Sequence, residues 1–341
     1  MSRKKTIKKR LLKWIYILLL LFPCFEIALR IVGGKPYENE TYKIEITPRN
    51  AFIGDDSLGI GLNPGQYKIK LNDTIEFITT HTAEGQRKVI DSQTDSTSIV
   101  SLGCSFTYGY GVNDKENFTT LLQSYFPTHK LVNYGVPGYG TVQSYLQLQQ
   151  ILKSENIPEV VILNFSSYHL DRNALTPYYR RALKIGFSQS MDFIDSLMND
   201  SRFPYVSDES KEEIQFENWN ELYQDWKGRN YFASVNYLQT AVDKVISEKM
   251  DLQTISVSLI KKMNDLCAKE GCKFVVAVLD NPVIPEFVLS LKKEGISTLE
   301  VNFDFNDTIL TNLPFDMHPN AKGHRYIANK IYESIKAILK P

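Results

Sequence analysis

The chain has 341 residues, of which 43% are hydrophobic and 23% charged, a globular composition that excludes wholesale disorder, a collagen-like fibre and a polytopic membrane protein. Basic and acidic residues tie at 39 each, but seven basic and no acidic residues precede residue 14, which leaves a net charge of −7 on residues 14–341. Such an acidic body lacks the clustered Lys and Arg that displace counterions from a phosphate backbone, so nucleic acid is not expected as a partner.

A long apolar segment follows the basic tail of residues 1–13. Residues 14–33 are almost entirely apolar, apart from Glu26 and Arg30, and about 20 such residues suffice to span a bilayer as a helix. The preceding positive charge predicts a cytoplasmic tail and an extracytoplasmic body after Gly33, either periplasmic or extracellular. A cleaved signal peptide is the alternative, but no small-x-small cleavage site follows. The sequence therefore predicts a single-pass signal-anchor in the cytoplasmic membrane.

Residues 41–97 carry the signature of short β-strands. Apolar and polar residues alternate over residues 42–46 and 67–71, a Pro64-Gly65 turn separates these segments, and another strand is expected over residues 75–78. We therefore expect a small β-rich extension between the membrane segment and the body.

From residue 98 onward, apolar strand segments alternate with helical segments. Strands are predicted over residues 99–102, 131–134, 160–163 and 274–279, and helices over residues 141–153 and 252–269. This alternation is typical of an α/β fold, a three-layer α/β/α sandwich of the flavodoxin-like kind with a central parallel sheet. Residues 98–341 are thus predicted to form one domain, with ligands at the carboxyl ends of its strands. Residues 174–250 break the rhythm and are too long for a loop, which predicts a helical insertion.

The four cysteines do not indicate a metal site. Only Cys267 and Cys272 are close in sequence, and two half-buried thiols are expected there rather than a bridge. No Cys and His pattern has zinc spacing, and neither a metal nor a cofactor is predicted.

Two segments combine residue types that suit nucleophilic catalysis. Ser105 follows Gly103 and Cys104 where a predicted strand ends, so its hydroxyl is expected at the carboxyl edge of the sheet. Asp316 and His318 precede the predicted terminal helix over residues 321–339, and Pro319 favours an extended backbone at His318. An Asp two residues before a His can orient the imidazole, which is the arrangement that activates a serine.

These segments resemble the blocks of the GDSL-type hydrolases of the SGNH superfamily. Gly103-Cys104-Ser105 resembles the nucleophile block with Cys104 at the middle position, and residues 133–138 resemble the second block, ending at Gly138. Residues 316–320 match the last block, so the resemblance covers residues 98–338 apart from the insertion. It implies Ser105 as the nucleophile, His318 as the base, Asp316 as its orienting partner, and the amides of Ser105 and Gly138 as oxyanion donors.

The third block departs from the family pattern. In the family, an Asn follows the third strand and its side chain donates to the oxyanion. Here the predicted strand over residues 160–163 is followed by residues 164–173, and the place of that Asn is taken by another residue. Either His169 or Tyr168 falls at the expected place, depending on the loop length, and either can donate a hydrogen bond. The alternative is that His169 only packs under the insertion.

The resemblance implies a serine esterase or acyl hydrolase that cleaves acyl esters of carbohydrate or lipid outside the cytoplasmic membrane. One alternative keeps the same catalytic residues in an O-acetyltransferase acting on envelope polysaccharide. A second is a non-catalytic binding protein on the same fold, suggested by Cys104 and by the missing third-block Asn.

Overall fold

The computed structural model describes residues 2–38, 43–92, 97–154, 156–190, 198–207, 213–280 and 284–339. The chain forms two compact units, of which the smaller contains residues 1–40 and 223–249 and the larger contains residues 41–222 and 250–341.

The described elements alternate between strands and helices over most of the larger unit. The strands are, in chain order, β1 (Ile44–Thr47), β2 (Phe52–Asp55), β3 (Gly59–Leu62), β4 (Gly65–Leu71), β5 (Ile75–His81), β6 (Ser98–Gly103), β7 (Lys130–Asn133), β8 (Val160–Phe165), β9 (Arg202–Val206), β10 (Ile214–Asn218), β11 (Lys273–Asp280), β12 (Thr298–Phe303), β13 (Thr311–Asn312) and β14 (Asp316–Pro319). The helices are α1 (Ser2–Ile31), α2 (Ser105–Tyr108), α3 (Phe118–Tyr125), α4 (Thr141–Ile151), α5 (Tyr168–Ala174), α6 (Pro177–Ser190), α7 (Ala233–Glu248), α8 (Leu252–Glu270), α9 (Pro285–Lys293) and α10 (Ala321–Leu339).

A five-stranded parallel sheet forms the centre of the larger unit. Its order is β7-β6-β8-β11-β12, and every residue of β8 is buried. Side chains from α3 and α10 pack on one face and side chains from α4, α8 and α9 on the other. The predicted three-layer α/β/α arrangement is therefore confirmed. The strand order reverses direction between β6 and β8, and in such sheets the crevice at the reversal is where ligands bind.

The β-rich extension and the middle of the chain share a second core. Strands β1, β4 and β5 form an antiparallel sheet, β2 pairs with β3, and Ile69 and Phe77 pack in one cluster with Phe203 and Trp219. The helical insertion expected over residues 174–250 contains helices α6 and α7, and in addition an antiparallel strand pair of β9 and β10. Its strands are only five residues long, too short for a clear periodic pattern.

The smaller unit contains α1 and α7. Oxygens of the Glu26 carboxylate accept the backbone N–H groups of Ala233 (2.9 Å) and Ser234 (2.8 Å), which are free donors at the start of α7. Burial raises the pKa of Glu26, but hydrogen bonds from Ser234, Arg30 and Ala233 outweigh it and lower the pKa to about 2. An ionised carboxylate therefore caps α7 over the physiological pH range.

The membrane-spanning helix predicted for residues 14–33 is not supported. In the part of the chain that the structure describes, no helix combines the length and the apolar character needed to cross a bilayer. The apolar residues continue a helix that begins in the basic tail at Ser2, and Glu26 within it bonds to α7. The cellular location inferred from this segment stays a prediction.

Candidate active site

Ser105 lies at the carboxyl edge of the central sheet, directly after β6. Gly103 ends that strand with a φ of +150°, and a Cβ at this position would overlap Thr107 Oγ1. The chain then turns through Cys104 into the short helix α2, which Gly109 ends in the left-handed conformation with a φ of +82°. These two glycines permit the tight turn that places Ser105 at the first helical position.

A continuous line of hydrogen bonds joins Ser105 to two residues of β14. The Ser105 Oγ lies 2.8 Å from His318 Nε2, and His318 Nδ1 lies 2.7 Å from Asp316 Oδ1. The backbone N–H of His318 donates to the same carboxylate oxygen at 2.7 Å. A carboxylate that accepts from Nδ1 leaves Nε2 to accept the serine proton, so this arrangement can activate the hydroxyl as a nucleophile.

Aromatic rings enclose the imidazole of His318. The ring of Phe106 lies 5.2 Å from it and the ring of Tyr110 lies 5.1 Å from it, measured between centroids. Phe106 also stacks on Phe305 at 4.6 Å. Burial raises the pKa of Tyr110, so its phenol stays neutral beside the imidazole. These contacts restrict the imidazole to one orientation.

The end of β7 and the segment after it pack directly against the turn that carries Ser105. Asn133 Nδ2 donates to the carbonyl oxygen of Thr107 at 2.7 Å, and Asn133 Oδ1 accepts the Gly135 amide at 2.8 Å. A Cβ on Gly135 would overlap the backbone nitrogen of Tyr108. Only a glycine at this position therefore lets the two segments approach each other.

Gly138 lies in the loop that follows β7 and has a φ of +85°. Its carbonyl accepts a hydrogen bond from the Tyr179 hydroxyl. In the described part of the chain, neither the Gly138 amide nor the Ser105 amide donates to another protein group. Both N–H groups thus remain available to a ligand.

His169 does not join this network. It is fully buried, its Nδ1 lies 3.3 Å from Thr141 Oγ1, and its ring packs edge-on against Phe165. Burial, together with the positive charge of Arg172, holds the pKa of His169 well below its usual range, so the imidazole is neutral. Among the described residues its Nε2 is buried without a hydrogen-bond partner, and the oxyanion role of His169 stays a prediction.

Tyr168, the other predicted donor, lies at the rim of the site. Its hydroxyl donates to Met317 Sδ at 3.5 Å, and its ring lies 6.0 Å from that of Phe106. Asn164, one residue before the end of β8, faces the sheet instead, because its amide donates to Ser101 Oγ and to the Leu102 carbonyl. The side chain of Asn164 therefore joins β8 to β6 and is not directed toward Ser105.

Arg87 bonds to the backbone of the turn that carries Ser105, and no sequence pattern singles it out. Its fully buried guanidinium donates to the carbonyl oxygens of Tyr108 (3.0 Å), Gly109 (3.3 Å) and Val112 (3.0 Å), and it pairs with Asp114 at 2.7 Å. A lone Arg in a polar stretch carries no sequence signal for this role. The β-rich extension is thus part of the scaffold of the site.

The remaining candidates lie in structural positions. His324 is buried in α10 and its Nδ1 accepts the backbone N–H of Phe118 at 3.2 Å, while Cys267 and Cys272 are free thiols. Within the described ranges, no group of three His, Cys, Asp or Glu side chains could hold a metal ion.

No protein-family model matches the sequence, and no curated protein sequence matches it. Among solved structures, it is similar to a lipolytic protein of the G-D-S-L family from Veillonella parvula, at 12% identity and a TM-score of 0.39 over 71% of this chain and 99% of the other. It is similar to the psychrotrophic esterase EstA from a Pseudoalteromonas species, at 16% identity and a TM-score of 0.38 over 72% and 99% of the two chains. The SGNH-hydrolase family esterase AlinE4 is similar at 12% identity and a TM-score of 0.35 over 73% and 100%.

Proposed function

We propose that this protein is a serine esterase that hydrolyses acyl esters. The observation that carries the proposal is the line of hydrogen bonds from Asp316 through His318 to Ser105, which joins residues more than 200 positions apart in the chain. In such a geometry, the imidazole of His318 can accept the Ser105 proton as the serine oxygen attacks a carbonyl carbon.

The first half of the reaction forms an acyl-enzyme. Ser105 Oγ attacks the ester carbonyl, His318 Nε2 accepts the hydroxyl proton, and Asp316 stabilises the resulting imidazolium. The electron pair of the carbonyl moves onto its oxygen, where the amides of Ser105 and Gly138 can donate to it. When the pair returns, the alcohol leaves with the proton held by His318.

The second half reverses these roles with water. His318 removes a proton from a water molecule, the hydroxide attacks the acyl carbon, and Ser105 recovers its proton as the carboxylic acid departs.

An apolar wall beside the site suits the apolar part of an ester. The rings of Phe106, Phe305 and Tyr168 follow one another, and Tyr168 and Met317 are each more than a third exposed at its outer end. We propose that Tyr168 and Met317, the exposed part of this wall, contact the acyl chain, while the buried rings of Phe106 and Phe305 support them.

The test is a series of p-nitrophenyl esters with acyl chains of two to eight carbons. We expect hydrolysis by the full chain and a loss of kcat/KM of about 10⁴-fold or more in S105A, H318A and D316N. Ser124→Ala, an exposed serine on α3, is the matched control and is expected to keep full activity. An S105A variant as active as the unchanged protein would refute the proposal.

A further inference from the structure

The proposed oxyanion site has two backbone donors and no side-chain donor assigned to it. The ring of His169 packs against Phe165 and its Nδ1 lies near Thr141 Oγ1, and Asn164 is bonded to the neighbouring strand. Helix α5 carries one more side chain with several donors, Arg172, which lies one turn after Tyr168.

The side chain of Arg172 lies between the two segments that carry the free amides. Its Nη1 donates to the carbonyl oxygen of Tyr139 at 2.9 Å, and Tyr139 directly follows Gly138. Its guanidinium also lies close enough to Cys104, which directly precedes Ser105, for the two side chains to interact electrostatically. A Cβ on Gly140 would lie 2.9 Å from Arg172 Cβ, so the bare backbone at that glycine allows α5 to approach.

The positive charge of Arg172 faces aromatic rings rather than a carboxylate. Its Cζ lies 5.8 Å from the Tyr168 ring and 5.5 Å from the Tyr179 ring. Within the described residues no acidic side chain forms an ion pair with it, and the neighbouring Asp171 accepts from Thr176 instead. A half-buried cation without an anionic partner is unfavourable, and an anion formed or bound beside it would stabilise it.

We propose that Arg172 is the side-chain oxyanion donor of this site. As the bond between Ser105 Oγ and the carbonyl carbon forms, the carbonyl π electrons move onto oxygen, and a guanidinium N–H donates to that oxygen beside the amides of Ser105 and Gly138. When the pair returns and the alcohol leaves, Arg172 is unchanged and still protonated. The proposal rests on the proposed esterase function and adds to it a charged donor, where the third block of the hydrolases that the sequence resembles supplies a neutral carboxamide.

The test compares R172M and R172K with R180M in the full chain. Arg180 lies on the next helix, also faces an aromatic ring, and pairs with Glu217 at 2.7 Å, so it is a matched control outside the site. With p-nitrophenyl acetate, we expect R172M to lower kcat by about 100- to 1,000-fold with KM changed less than about threefold. R172K is expected to recover part of the loss, and R180M to change neither constant.

A second measurement separates an oxyanion donor from a merely structural residue. Phenylboronic acid forms a tetrahedral adduct with an activated serine, and its affinity should weaken in R172M by about the same factor as kcat/KM. Added guanidinium at millimolar concentration should restore activity to R172A and leave the unchanged protein unaffected.

Three results would overturn the proposal. Unchanged kcat and boronate affinity in R172M, or in R172K if R172M does not fold, would remove Arg172 from the oxyanion site while the esterase function stands. A loss confined to KM for an ester with a carboxylate on its acyl chain would make Arg172 a specificity residue. An unchanged protein without Ser105-dependent hydrolysis would overturn the esterase function together with this proposal.

Discussion

Replacing Arg87 by Met removes the hydrogen bonds that hold the backbone of the turn carrying Ser105. The guanidinium bonds to three carbonyl oxygens, of Tyr108, Gly109 and Val112, and to the carboxylate of Asp114. The Met side chain keeps the apolar stem but makes none of these bonds. Three buried carbonyls and one nearly buried carboxylate then lose the donors of the guanidinium, although Asn117 still donates to the Tyr108 carbonyl and the Thr80 amide to Asp114.

The cost of this change follows from the burial of the pair. The Arg87 side chain has no exposed surface and the Asp114 side chain is 12% exposed, so breaking the pair leaves a carboxylate in a poorly solvated site. Removing one partner of a buried ion pair typically costs about 3 to 5 kcal/mol. For a unit of this size we expect the melting temperature of R87M to fall by about 5 to 10 °C. Because the turn that carries Ser105 loosens, kcat/KM should fall by about 100-fold even well below that temperature.

Thermal unfolding followed by circular dichroism and hydrolysis of p-nitrophenyl acetate measure the two effects. Lys88→Met changes the exposed neighbour and should leave both unchanged. D114N combined with R87M should cost little more than R87M alone, because the two residues form one unit. An R87M protein with an unaltered melting temperature and full activity would show that Arg87 does not hold the turn.

Buried histidines and closely packed glycines give three further predictions. Burial lowers the pKa of His81 to about 4 and that of His324 to about 3, so the unfolded chain takes up protons from about pH 6.5 downward while the folded chain does not. The free energy of unfolding should therefore fall by about 2 to 3 kcal/mol per histidine between pH 7 and 4.5, as measured with urea, and H81N should show a shallower fall. Gly135→Ala should unfold several degrees lower and lose activity, whereas Gly186→Ala, on α6 with no atom within 4 Å of its Cβ, should be as stable as the unchanged protein or more so. His169→Gln should lower kcat less than about tenfold, and a 100-fold loss would return His169 to the oxyanion site.

The sheet could be predicted where its strands are buried on both faces. Strands β6, β8 and β11 consist of near-continuous apolar runs, which is the pattern of parallel strands covered by helices. The outermost strand β12 was not predicted, although its buried residues alternate as a half-exposed strand requires. The pairing of β9 with β10 was not predicted, because these strands pack on the β-rich extension and such a tertiary contact leaves no local sequence pattern.

The candidate site likewise contains residues that the local sequence predicts and residues that only tertiary contacts reveal. Ser105, Asp316 and His318 were found because each stands at a turn beside a strand or helix end, where residue type and spacing carry information. Arg87 and Arg172 were missed because their partners come from distant segments and their own surroundings in the chain are ordinary polar sequence. The family pattern placed either His169 or Tyr168 at the third oxyanion position, and the burial of His169 is a tertiary property that the sequence around it does not show.

The central claim is that the hydroxyl of Ser105 is activated by His318. Treating the protein with a fluorophosphonate and locating the adduct by peptide mass spectrometry measures this directly. We predict one phosphonyl group per chain, attached to Ser105, absent in S105A and formed at least 100-fold more slowly in H318A. Labelling of another residue, or equal labelling rates in H318A and the unchanged protein, would contradict the claim.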